Sequence, residues 1–94
     1  MQQDQDTATN YTMGDIIVDA VTMNEAAVCG DLDESRRRAR RIAFLAAPEG
    51  LTGIAEAANV LLCLLGPAGT EPQPGFGAAM VAVSTEIDRA FGEG

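Results

Sequence analysis

The sequence predicts an all-α protein: a small bundle of three to four helices with a C-terminal helical hairpin, completed by homo-oligomerisation. Three observations carry this expectation. The stretch LTGIAEAANVLLCLL, residues 51–65, is the most apolar in the chain. It repeats Ile54, Ala58, Leu61 and Leu65 at helical spacing, and Ala57, Val60 and Leu64 widen the stripe. Glycines and prolines (Gly30, Pro48, Gly50, Gly66 and Pro67) then divide the chain into helix-length pieces. The one run that reads as a strand, Ile16-Ile17-Val18, has no second strand of comparable quality to pair with.

Ninety-four residues make one domain, and 47% of them are hydrophobic. With no Trp, one Tyr and three Phe, the core must be built from Ala, Leu, Ile, Val and Met. Such side chains bury little area each, at roughly 25 cal/mol per Å² of apolar surface. Marginal stability as a monomer follows, with self-association as the natural remedy.

Residues 1–10 are polar, acidic and aperiodic, which reads as a flexible tail before a single helical domain over residues 11–94. The first helix is expected near 13–29, opened by Thr12 with Asp15 and stopped at Gly30. Ile17, Val21, Asn24 and Val28 form its stripe, with Ile16, Ala20 and Ala27 beside them. Asp15 and Asp19 sit near its positive end.

Asp31 and Glu34 offer a capping box for a second helix, near 32–47. Leu32, Ser35, Ala39, Ile42, Ala43 and Ala46 cluster on one third of its wheel. The arginines occupy the rest, joined there by Phe44 and Leu45. The third helix, 52–65, takes Thr52 as N-cap and Gly66-Pro67 as stop. Residues 66–75, GPAGTEPQPG, read as an irregular loop. The last helix, near 76–91, carries the seam Phe76, Met80, Val83, Ile87 and Ala90.

The net charge of −8 argues against a general nucleic-acid or anionic-membrane binder. Its distribution is uneven: residues 1–34 hold eight acids and no base, and five of the six arginines lie between Arg36 and Arg41. Neither His nor Lys is present, which removes the commonest general base and the Schiff-base route. No catalytic residue, metal set or cofactor is expected. Cys29 and Cys63 sit in apolar helical contexts and read as buried thiols. The N-terminus lacks a basic region and an apolar run, so it is not read as a signal peptide, and a cytoplasmic location follows.

The segment RRIAFLAAPEGLTGIAEAANVL resembles the second and third helices of winged-helix regulators. There an Arg/Ile-rich helix leads through a Glu-Gly-Leu-Thr turn into an Ile-Ala-Glu-Ala helix. The resemblance covers about twenty-two residues and implies a DNA-binding regulator. What the family places next is a polar recognition helix and a two-stranded wing, where this chain has LLCLLG and a proline-rich loop.

The sequence therefore supports a non-enzymatic, acidic, helical module of bacterial or phage type that binds another protein as a homodimer or higher homo-oligomer. Val60, Leu64, Met80, Val83 and Ile87 are the expected oligomer interface. Arg36, Arg37, Arg38, Arg40 and Arg41 are the expected binding residues. The alternative is a phosphate-containing ligand or nucleic acid on that arginine helix.

Overall fold

A computed structural model describes the backbone of residues 2–92 and the side chains of residues 12–92. Among these residues there are four α-helices and no strand: α1 (Gln2–Val28), α2 (Leu32–Ala46), α3 (Thr52–Leu65) and α4 (Phe76–Ile87). Single turns follow α2 and α4, at Ala47–Glu49 and Asp88–Gly92. The wing that a winged-helix protein carries has no counterpart here, because α4 occupies its place in the chain.

Short connections fold the helices up, down, up and down. Each pair is antiparallel: Ser35 and Arg41 of α2 reach back to Met23 and Asp19 of α1. Arg36 meets the end of α3 at Leu65 and Gly66. Gly53, at the start of α3, faces Glu86 near the end of α4, and a Cβ there would collide with that carboxylate.

Each helix contributes one stripe to a common core. The stripes are Ile16, Ala20 and Met23; Ala39, Ile42 and Ala46; Ile54, Ala58, Leu61 and Leu65; and Ala79, Met80, Val83 and Ile87. The expected α3 stripe is the buried one, and the expected α2 arc carries the buried Ser35, Ala39, Ile42 and Ala46.

Several local expectations are corrected. Helix α1 begins at Gln2, so the segment read as a tail is helical backbone; its side chains lie outside the described residues. Nothing between Gln2 and Tyr11 breaks a helix, and extending a helix already anchored by packing costs little. Thr12 is therefore interior to α1 and no cap. The buried face of α1 is also rotated from the expected one: Ile17, Val18 and Val21 face solvent while Ile16, Asp19, Ala20 and Met23 are buried. Both cysteines are exposed. Cys29 follows the last turn of α1, and Cys63 shares the outer side of α3 with Glu56 and Asn59.

The helix ends follow their sequence signals in part. Asp31 caps α2, its Oδ1 accepting the Glu34 N–H at 3.1 Å. The reciprocal half of the box is missing because Glu34 turns to Arg37 and Arg38. Leu51, and not Thr52, is the N-cap of α3, with no side-chain hydrogen bond. Gly66 ends α3 with φ 72°, a left-handed value that suits glycine.

Candidate functional site

The arginine run divides into three groups by the face of α2 on which each residue falls. Arg36 points inward and is 3% exposed. Its Nε donates to Gly66 O at 3.0 Å, and its Nη2 donates to Leu65 O at 2.7 Å and Thr70 O at 2.5 Å. Nη1 pairs with Asp33 Oδ1 at 2.5 Å, and the same carboxylate oxygen accepts the Gly69 N–H at 3.2 Å. The guanidinium thus satisfies carbonyls at the negative end of α3 and gathers the following loop around itself. Arg36 is a structural clamp, which removes it from the expected binding set.

Arg38 and Arg41 converge on Asp19. Arg38 Nη1 lies 2.8 Å from Oδ1, and Arg41 Nε lies 2.9 Å from Oδ2. Arg38 Nε also meets Glu34 Oε2 at 2.8 Å. Asp19 is 1% exposed, in the middle of the buried stripe of α1. One turn away, Ser35 Oγ donates to Met23 O at 2.8 Å. These contacts set the register of α1 on α2, with the carboxylate buried because two guanidinium groups meet it there.

Arg37, Arg40 and Arg41 remain on the outer face with Phe44, and the four together line one shallow depression. Arg37 pairs with Glu34. Arg40 has no hydrogen bond or ion pair among the described residues. Phe44 is 78% exposed, an aromatic ring held in water beside three cations. The charge run is visible in the sequence; its arrangement around Phe44 depends on which residues α1 and α3 engage.

A second outward surface is apolar. Ile17, Val18, Val21 and Val28 of α1 are exposed, although the same helix buries another stripe. Ile17, Val21 and Asn24 form one wall of a groove closed on the far side by Ser84 and Ile87 of α4 and by Asp88 just after it. The groove exists because α1 packs on α2 and α4 packs on α3, while α1 and α4 barely meet.

The expected oligomer interface is largely internal. Met80, Val83 and Ile87 are buried in the chain's own core against α3, so the seam that was to join two copies closes the hairpin instead. Val60 does face solvent, and Leu64 is half-buried.

Comparison with family models, curated proteins and solved structures finds no match. Among the described residues, no helix is long and apolar enough to cross a membrane.

Proposed function

We propose that the chain is a non-enzymatic protein-binding module that works as a homodimer or higher homo-oligomer. One observation carries this reading: α1 turns Ile17, Val18, Val21 and Val28 to solvent while a complete core is already buried on its other side. Exposed apolar side chains gathered along one helix offer an interaction surface. Ile17, Val21, Asn24 and Val28 are spaced four, three and four residues apart, the spacing of a two-helix seam. That spacing reads the same in both directions. A two-fold axis between Val21 and Asn24 would set Ile17 of one copy on Val28 of its partner.

The composition supports a bacterial or phage regulator or accessory protein, and two unpaired thiols agree with a reducing, cytoplasmic setting. The competing reading, a phosphate-containing ligand on α2, draws on Arg40, which has no ion pair among the described residues. Against it stands Phe44, an exposed ring beside Arg40 that a bare phosphate group would leave uncovered.

Light scattering on wild type and Val21→Asp tests the reading. The wild type should run above the 9.8 kDa monomer mass and the variant, still cooperatively folded but with a lower melting midpoint, at it. Two equal masses would remove α1 as the contact.

A further inference from the structure

We infer that the outer face of α2 docks a short acidic peptide segment with an apolar anchor: Arg37, Arg40 and Arg41 meet its carboxylates, and Phe44 covers its apolar side chain. This rests on the protein-binding reading but uses none of the α1 residues that carry it. The four side chains fall at helical spacing, three, four and seven residues on from Arg37, and line a single depression. Their states differ in a useful way. Arg37 and Arg41 are steered by Glu34 and Asp19, whereas Arg40 keeps all its donors open among the described residues. A guanidinium fork of this kind takes a carboxylate bidentately. Phe44 lies one turn beyond Arg40, so an apolar residue one turn from an acid on the partner would reach the ring. Arg and aromatic residues are also those that dominate protein interfaces.

Charge and size choose between a peptide and a polyanion. Arg37, Arg38, Arg40 and Arg41 set against Asp19 and Glu34 leave a local charge of +2, on a chain whose net charge is −8. The patch is short, since seven helical residues rise only about 10 Å. Along the chain, Asp33 precedes it and Glu49 is the next acid after it. Duplex nucleic acid presents a charge every ~1.7 Å and would run from the patch onto those acids. One or two carboxylates beside an apolar side chain match the patch in both extent and charge.

The probe is a fluorescein-labelled synthetic helix with two Glu one turn apart and a Leu one turn further on. Comparators are the same peptide with Gln for both Glu, and a single-stranded oligodeoxynucleotide. Binding is read by anisotropy on the full chain, on Arg37→Gln/Arg40→Gln, on Phe44→Ala and on Arg89→Gln, with melts to show that each variant is folded. The acidic peptide should saturate, weaken when NaCl rises from about 0.05 to about 0.3 M, and lose roughly tenfold in affinity in each α2 variant. Arg89→Gln and Val21→Asp should bind it as wild type does, which keeps this result separate from the fate of the α1 contact. The inference is overturned by equal binding of the Gln peptide, by no saturation at millimolar protein, or by binding that survives both α2 variants. Tighter binding of the oligonucleotide, or loss of the peptide in Val21→Asp, overturns it as well.

Discussion

Arg36 and Asp19 show how single charged side chains decide what this chain does with its helices. Arg36 closes three carbonyls at the end of α3 and its loop, so Arg36→Gln strands the buried Leu65 carbonyl and takes the donor from two part-buried ones. The expected loss is about 2–3 kcal/mol in chemical denaturation, whereas Arg37→Gln, on the surface, should stay within about 0.5 kcal/mol of wild type. Asp19 allows a test whose outcome depends on which partner is removed. Replacing both Arg38 and Arg41 with Gln leaves a buried carboxylate uncompensated and should cost about 3 kcal/mol. Asp19→Asn removes the buried charge itself and leaves two arginines that reach solvent, so it should cost clearly less, about 1 kcal/mol. The reverse ranking in paired denaturation curves would mean that Asp19 does not hold the register through its charge.

At the scale of elements, α2, α3 and the centre of α4 were legible from periodicity, because each buries one stripe at helical spacing and Gly66 stops α3 where the sequence places it. Helix α1 was less so, and the reason is physical. Its sequence offers two neighbouring stripes, and the more apolar one, Ile17–Val21–Val28, is the one left outside. The buried stripe contains Asp19, which local hydropathy ranks as a surface residue. Only the arrival of Arg38 and Arg41 from another helix makes its burial favourable. The arginine run was visible as a feature, yet its division into a clamp, a register lock and an outer face depends on the loop after α3 and on Asp19. Cys29 and Cys63 show the same limit, since apolar neighbours along the chain did not put them inside. The register predicts a contrast between adjacent residues. Ile16→Ala, at 0% exposure, should cost roughly 2–4 kcal/mol, and Ile17→Ala less than about 1 kcal/mol at protein concentrations too low for self-association. Equal costs in urea denaturation would place both residues at the edge of the packed face.

For the whole molecule, the decisive feature is an open side. Each helix packs on the next, but α1 and α4 leave a groove between them, and the apolar stripe of α1 runs along its rim. Two copies with a net charge of −8 repel one another, and salt screens that repulsion without weakening apolar contacts. Self-association through α1 should therefore tighten as salt rises, the opposite of the response expected for an acidic peptide on α2. Sedimentation equilibrium of the wild-type chain at micromolar concentration, at low and at high NaCl, tests this most directly. The mass should exceed 9.8 kDa and rise with both protein concentration and salt; a mass of 9.8 kDa at every concentration and salt would rule out self-association through α1.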